Sequence, residues 1–373
     1  MSLDARARRA AQAARDNIDR RPPPPAIGVL VARQRRRVAA INALGLALIV
    51  AVGGVAWRAL PIGRQQPAAT GLPRQVEAAI RVGKAPGAVV VERSQVWVAN
   101  SGDATVSRIE PSTNQVIALI DVGERPTHIA ADALAATDAG ADAGAVWVTT
   151  PPYMQEIDPD SNSTVRSYPL PGGPGDVALA FDGALWVSRN DGTVRKVDPF
   201  DGREVASVPV ASRGLSMLAI GEDRVWAANR GTLVAINSLH PEVNTRFALR
   251  WDGNRTPEVT DLAVVRGQVW AADSDGAVVR FVVDHSRREL QGQLVARGGP
   301  FAIAAGPTGV ALDGVALASR STSTVIWCDP ATGQERTRIR LPGVSDVAVG
   351  TNAVWASDRR RNLLYRIDPT ATG

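Results

Sequence analysis

The most constraining feature of the sequence is a Val-Trp or Leu-Trp step that returns at regular intervals from residue 96 to the end of the chain. Its seven occurrences, one with Ala in place of Trp, are Val96-Trp97, Val146-Trp147, Leu185-Trp186, Val225-Trp226, Val269-Trp270, Val315-Ala316 and Val354-Trp355. The Trp (or Ala) positions are 50, 39, 40, 44, 46 and 39 residues apart. Repetition at about 40–45 residues, with several short strands per unit, is typical of propeller blades. The expected fold is all-β, a seven-bladed β-propeller with four-stranded blades.

Each unit is expected to hold four strands, A to D, with the Trp step on strand B. An acidic residue followed by Pro recurs, with the Pro 12 to 14 residues after the Trp position, as Glu110-Pro111, Asp158-Pro159, Asp198-Pro199, Asp329-Pro330 and Asp368-Pro369. Because Pro fixes φ and cannot donate to a ladder, this step predicts the turn from C to D. In the second unit we expect A at 126–131, B at 145–150, C ending at 157 and D at 164–170.

The last unit runs out after its strand C, at residue 367. A replacement for its strand D is available at the start, because QVEAAIRV (75–82) resembles QVIALIDV (115–122), a predicted strand D. We therefore expect residues 75–82 to complete the seventh blade and close the ring, which removes exposed strand edges. Residues 75–369 form the predicted propeller, at about 42 residues per blade.

The first 74 residues differ in composition from the repeats. Residues 1–37 are an Arg- and Pro-rich tail, read either as a solvated segment or as a docking peptide for a cytoplasmic protein partner. Residues 38–60 contain a charge-free run long enough for a transmembrane helix, and 61–74 resemble a linker. Since the Arg-rich flank stays in the cytoplasm, the propeller is expected outside the cell membrane. A signal peptide cleaved after Ala56 is the alternative.

Charge is concentrated in the tail. The chain carries a net charge of +5, and residues 1–37 contain ten Arg and three Asp, +7, which leaves −2 for residues 38–373. The predicted propeller therefore has no general basic surface for nucleic acid. Cys328 is the one cysteine, so no intrachain disulfide can form. No metal-ligand spacing, catalytic motif or phosphate-binding loop occurs, and we expect no cofactor, no metal and no catalytic residues.

Two rings of equivalent positions could meet a ligand. Three residues after each Trp position comes a polar residue: Asn100, Thr150, Arg189, Asn229, Asp273, Ser319 and Asp358. These side chains either mark where strand B enters a solvated turn or surround a binding depression. Asn100, Arg189, Asn229, Asp273 and Asp358 are the candidate ligand-binding residues of this outer ring.

The inner ring consists of the residue before each hydrophobic-Ala pair on strand A: Ala88, His128, Asp176, Met217, Asp261, Ala302 and Asp346. His128, Asp176, Asp261 and Asp346 are its candidate ligand-binding residues. They either hold a cation or polar ligand in the central channel, or line it and bond to backbone. Neighbouring carboxylates would repel each other unless they are wetted, paired or protonated.

The phrases VWVAN, TVSRIEP and VIALIDVGERPTHIA resemble the YVTN/NHL-like propellers, in particular the virginiamycin B lyase-like group, over residues 75–369. The resemblance implies a propeller fold. Relatives include a streptogramin-cleaving lyase, quinoprotein-like electron carriers and binding scaffolds, and lyase similarity implies a metal-assisted His/Glu site on one face. His240 and His285 lie in predicted C–D connections, so we expect them on the face away from His128.

The sequence thus favours a membrane-anchored extracytoplasmic propeller that acts as a sensor or scaffold for a small ligand or protein and is not catalytic. The alternative is a membrane-tethered lyase-like or quinoprotein-like enzyme with its site at the channel mouth, around His128, Asp176, Asp261 and Asp346.

Overall fold

Each predicted unit folds into one four-stranded antiparallel sheet in the computed structural model. The structure describes residues 71–371, except 93–94, 132–144, 171–173, 222, 252–254, 285, 288, 300 and 307–311. Within these residues there are seven sheets, which confirms the all-β, seven-bladed propeller with four-stranded blades.

The strands follow the chain from the centre of each blade to its rim. Blade 1 contains β2 (Pro86–Glu92), β3 (Gln95–Asn100), β4 (Thr105–Glu110) and β5 (Gln115–Asp121); blade 2 contains β6 (His128–Ala131), β7 (Val146–Thr150), β8 (Tyr153–Asp158) and β9 (Ser163–Pro169). Blade 3 contains β10 (Pro174–Leu179), β11 (Leu185–Arg189), β12 (Thr193–Val197) and β13 (Glu204–Pro209); blade 4 contains β14 (Met217–Gly221), β15 (Arg224–Asn229), β16 (Thr232–Asn237) and β17 (Asn244–Ala248). Blade 5 contains β18 (Val259–Val265), β19 (Gln268–Asp273), β20 (Ala277–Asp284) and β21 (Glu289–Arg297); blade 6 contains β22 (Phe301–Ala305), β23 (Val315–Ser319), β24 (Thr324–Cys328) and β25 (Glu335–Arg340).

Blade 7 combines the two ends of the described chain. Its inner strands are β26 (Val344–Val349), β27 (Val354–Asp358) and β28 (Leu363–Ile367), and its outermost strand is β1 (Val76–Arg81). Strand β1 pairs antiparallel with β28, with Ala79 opposite Tyr365 and Ile80 opposite Leu364. Ile80 is fully buried at this seam.

The hydrophobic core is divided among the seams between adjacent blades. Seven clusters of buried residues each combine side chains from two neighbouring blades, because both faces of every sheet are covered. The second strand of each blade accordingly reads as a nearly continuous apolar run, and VWVTT of β7 is buried at all five positions. Each seam contains one of seven fully buried Trp side chains: Trp97, Trp147, Trp186, Trp226, Trp270, Trp327 and Trp355. Trp251 is also buried in the seam that contains Trp226.

Blade 6 supplies its Trp from a different strand. Ala316 of β23 pairs with Trp327 of β24, so the indole reaches the seam from the neighbouring strand. Gly314 makes room for it, because a Cβ at this residue would come within 2.2 Å of the Trp327 ring. The unit that looks degenerate in the sequence therefore keeps the same core element.

The acidic-Pro turns between third and fourth strands join neighbouring blades. In the Asp-Pro turns the Asp accepts a hydrogen bond from the backbone N–H two residues later, as Asp198 does from Phe200 at 2.8 Å. The turn then presents a carbonyl oxygen to the preceding blade: Arg366 donates to Pro111 at 2.7 Å, and Tyr168 donates to Pro199 at 3.0 Å. The sequence motif is thus both a turn and an inter-blade acceptor.

The predicted tail, the transmembrane segment 38–60 and most of the linker lie outside the described residues, as does the insertion at 132–144. Among residues 71–371, with the gaps given above, no helix has the length and hydropathy needed to cross a bilayer.

Candidate binding site at the channel mouth

A central cavity of about 1560 Å³ runs along the first strands of the blades. Each first strand begins on the face that carries the connections between blades and between second and third strands; we call this face the mouth. Most polar residues of the cavity lie where those strands begin, among them His128, Asp176, Asp261 and Asp346, whereas Arg266 and Thr351 line its other end. Small apolar residues such as Ala219 and Ala304 line it farther along. The four inner-ring candidates therefore share one end of one cavity.

Asp176 and Asp261 bind backbone N–H groups on two blades at once. The Oδ1 atom of Asp176 accepts from Val177 at 2.9 Å, and Oδ2 accepts from Leu218 of the next blade at 2.7 Å. Asp261 accepts from Leu262 at 2.7 Å and from Ile303 of the next blade at 2.7 Å. Each carboxylate is therefore a hydrogen-bonded bridge across a seam.

Asp346 makes the same bridge between the last blade and the first. Its Oδ2 accepts from Val89 of blade 1 at 2.9 Å, and it also accepts the N–H of Val347. The first strand of a blade is an edge strand, so N–H groups on its channel side have no partner strand. The three Asp residues supply the missing acceptors. Of the two interpretations of the inner ring, bonding to backbone is what these carboxylates do in the structure.

The site's electrostatics follow from its enclosure. The inner carboxyls line the channel, where burial removes much of their contact with water. For Asp346 this desolvation raises the pKa to about 6, although hydrogen bonds from Val89 and Val347 act to lower it. Desolvation also raises the pKa of Asp261 well above its usual value, and repulsion from Asp346 adds to the effect. The pKa of Asp176 is raised by desolvation too, with His128 opposing the rise.

His128 occupies the inner-ring position of blade 2 without bridging a seam. Its Nδ1 lies 3.2 Å from the Thr127 hydroxyl, and its backbone N–H donates to Thr149 Oγ1 at 3.2 Å. The Thr127 hydroxyl is 2.9 Å from Thr149 Oγ1, which fixes the hydroxyl beside the ring. No described residue forms a hydrogen bond with Nε2. His128 is thus oriented by one nitrogen and open at the other.

Most outer-ring residues are buried and brace the mouth connections. Asp358 is fully buried and accepts from the N–H groups of Arg360 and Arg361 at 3.0 Å each and from the Tyr365 hydroxyl at 3.1 Å. Asp273 accepts from Trp251 Nε1 at 3.0 Å and forms an ion pair with Arg255. Asp358 thus stabilises the connection that follows its strand. Asp273 does the same through the N–H of Ala277 at 2.8 Å, and its contacts with Trp251 and Arg255 stabilise the connection between β17 and β18.

The remaining outer-ring candidates behave less uniformly. Asn100 donates to Ser107 Oγ at 2.9 Å, and Asn229 donates to the Leu215 carbonyl at 2.8 Å. Arg189 is 8% exposed, and desolvation lowers its pKa. All outer-ring residues are buried except Asn229, which is half-buried. The simpler sequence interpretation, that these positions mark where a strand enters a solvated turn, therefore does not describe this ring.

Two features of the mouth were missed by the sequence reasoning. Arg320 lines the cavity, and its charge acts on Asp346; its position directly after the outer-ring Ser319 is the signal that could have found it. Charge is also sorted by face. Among the described residues of the mouth connections there are ten Lys and Arg against five Asp and Glu, whereas those of the opposite face, with 71–75 and 368–371, have four against nine.

His240 and Cys328 lie away from the mouth. His240 is in the connection between β16 and β17, on the opposite face as predicted, and pairs with Glu242 at 3.4 Å. His285 lies outside the described residues. Cys328 is buried, and burial raises the pKa of its thiol to about 12. Within the described part of the chain, no three His, Cys, Asp or Glu side chains are placed to hold a metal ion.

Comparison with solved structures places the fold among known propellers. The chain is similar to the Cps50 (Swd1) β-propeller domain of Myceliophteria thermophila, with 13% identity, a TM-score of 0.61, and 80% of this chain and 100% of that chain covered. It is similar to Kuenenia stuttgartiensis hydrazine synthase, with 11% identity, a TM-score of 0.62, and 81% and 100% covered. It is also similar to a streptogramin B lyase, with 11% identity, a TM-score of 0.60, and 77% and 95% covered.

No family model and no curated protein sequence matches the chain. At such low identities the structural likeness establishes the fold alone. The resemblance to lyase-like propellers that the repeats indicated is therefore confirmed as a likeness of architecture.

Proposed function

We propose that this protein is a membrane-anchored, extracytoplasmic propeller that binds a small ligand or a protein partner at the channel mouth, as a sensor or scaffold and not as a catalyst. The observation that carries the proposal is the central cavity of about 1560 Å³, which has His128, Asp176, Asp261 and Asp346 together at its mouth end. Concave sites with a few convergent polar groups are the usual places where proteins bind small ligands.

The bracing of the mouth supports a binding role. Asp273 and Asp358 hold their connections through several hydrogen bonds each, and the three inner carboxylates hold adjacent blades together. A rim held in this way is preorganised, so a ligand loses little free energy in ordering it. The described chain also enters the ring on the opposite face, where Asp368 N donates to Gln75 O at 2.8 Å.

A thermal-shift screen on the full-length chain tests the proposal, because a ligand that binds only the folded state raises Tm. Two variants make the screen specific for the mouth. Thr127→Trp puts a bulky group at an exposed residue of the mouth, and Leu239→Trp puts the same group at a residue 60% exposed on the opposite face. A mouth ligand should raise Tm of the parent chain and of L239W, and not of T127W.

Hydrogen exchange with the same ligand gives an independent map. Protection should concentrate on the mouth connections, and protection confined to the outer strands or the opposite face would contradict the proposal.

The anchor is tested separately by determining the N-terminus of the mature protein. A product that begins near Trp57 would show that the apolar segment is removed and would refute a retained anchor.

A further inference from the structure

The inner ring has one backbone donor that lacks the acceptor its counterparts have. Six equivalent N–H groups on the first strands are capped by the three carboxylates: those of Val177, Leu218, Leu262, Ile303, Val347 and Val89. The seventh belongs to Ile129 of blade 2. Ile129 pairs with Val148 in the register in which Val177 pairs with Val187, so its N–H also faces the channel. No side chain among the described residues accepts it.

The two places from which an acceptor could come are both occupied by the wrong residue. Each inner Asp caps the N–H of the residue that follows it and the corresponding N–H of the next blade. For Ile129 these places are position 128, which is His, and position 88 of blade 1, which is Ala. The missing acceptor beside the Ile129 N–H, which we call the gap, therefore results directly from the residues at positions 128 and 88.

We propose that this gap is a subsite for a carboxylate group of the ligand, whose oxygens accept the Ile129 N–H and a hydrogen bond from His128 Nε2. The bound carboxylate would do at blade 2 what Asp176, Asp261 and Asp346 do at the other blades. The inference deepens the proposed function, on which it rests, and names the ligand class as a small carboxylate-bearing molecule.

The surroundings suit such a group. Thr127 and Thr149 orient the His128 ring, which leaves Nε2 free to donate to the ligand. The excess of cations on the mouth connections attracts anions toward the cavity. Asp176 on the next blade is the inner carboxyl to consider as a source of repulsion, and its two oxygens are already bound to the N–H groups of Val177 and Leu218.

The test is an NMR titration of the full-length chain labelled with ¹⁵N-isoleucine, with sodium acetate as the probe and acetamide and sodium chloride as controls. Ile129 and Ile303 have equivalent N–H groups, and the Ile303 group is already bound to Asp261. Conservative Ile129→Val and Ile303→Val variants assign the two signals. We expect acetate to shift the Ile129 signal in a saturable manner while Ile303 stays in place, and His128→Ala to weaken acetate binding about tenfold.

A matched pair of variants then asks whether the gap itself is the site. Ala88→Asp adds a carboxylate that can cap Ile129, so it should slow hydrogen exchange at Ile129 and abolish the acetate response. Ala302→Asp adds the same group before blade 7, where Val347 is already bound by Asp346, so it should leave the response intact.

Three results would overturn the subsite: an Ile129 signal that ignores acetate, one that moves equally with acetamide or chloride, or an acetate response that survives A88D. If acetate fails while ligands from the thermal-shift screen still protect the mouth, only the carboxylate subsite is wrong. If neither binds at the mouth, the proposed function fails as well.

Discussion

Trp327 lies directly opposite Ala316 in the β23–β24 pair and fills the seam that a Trp at 316 would fill. We expect Trp327→Ala to lower the free energy of unfolding by about 3–5 kcal/mol, since it leaves a large cavity in the core. The double variant A316W/W327A returns the indole to the strand that carries it in the other six blades and should recover much of the loss. Denaturant unfolding of the parent and both variants measures this; a double variant no more stable than W327A would show that the two positions are not interchangeable.

Replacing Asp346 should change how stability depends on pH. Its folded pKa of about 6 lies above the ordinary Asp pKa of 3.8, so protonation stabilises the folded state. This contribution is complete below the unfolded pKa and is lost as pH rises through 6. Asp346→Asn cannot titrate and leaves one of two N–H groups uncapped, which costs about 1–3 kcal/mol. The deficit in Tm of D346N should therefore be larger at pH 5 than at pH 7.5. A deficit that is constant or larger at pH 7.5 would rule out the raised pKa.

Gly343 should be intolerant of a side chain because of Asp358. It has a φ of 93°, and a Cβ would lie 2.4 Å from Asp358 Oδ1. Gly123 has a φ of 73° with nothing near its Cβ, so Gly123→Ala measures the backbone cost alone. We expect Gly343→Ala to be more destabilising than Gly123→Ala by at least about 1 kcal/mol in chemical denaturation. Equal effects would mean that the Asp358 network yields without cost.

Ring closure by β1 can be tested with two truncations. A chain starting at residue 71 keeps β1, and a chain starting at residue 83 leaves blade 7 with three strands and uncovers Leu364 and Tyr365, which are buried in the ring. We expect the longer chain to unfold cooperatively as a monomer and the shorter one to lose stability and associate through its exposed edge. Scanning calorimetry and size-exclusion chromatography distinguish them. Indistinguishable behaviour of the two chains would show that β1 is not needed.

The sequence was sufficient for the fold because its signals are local and repeated. The Trp steps and the acidic-Pro turns each recur at a fixed place in a blade, and their spacing gave the number of blades. The repeat pattern did not identify Trp327 as the seam residue of blade 6, because Trp327 and Ala316 share a sheet face without being close in sequence. The core position is defined by where a side chain projects and not by its place in the motif.

The candidate site was predictable only in part. The inner-ring positions of Asp176, Asp261 and Asp346 followed from the repeat, but their acceptance of two N–H groups on adjacent blades depends on which edge atoms face the channel. Local spacing carries no information on that geometry. The sequence showed that His128 stands where three other blades have Asp. The uncapped N–H of Ile129, however, is a backbone feature that no side-chain pattern could reveal.

Each inner carboxylate serves two blades, and seven is an odd number. Three such groups serve six blades, and blade 2 is the one that no inner carboxylate serves. The seven blades are otherwise nearly equivalent, so this one blade makes the ring asymmetric. A molecule seated in the channel can therefore be held in one rotational orientation, which a symmetric ring of six or eight sectors built by the same rule would not define.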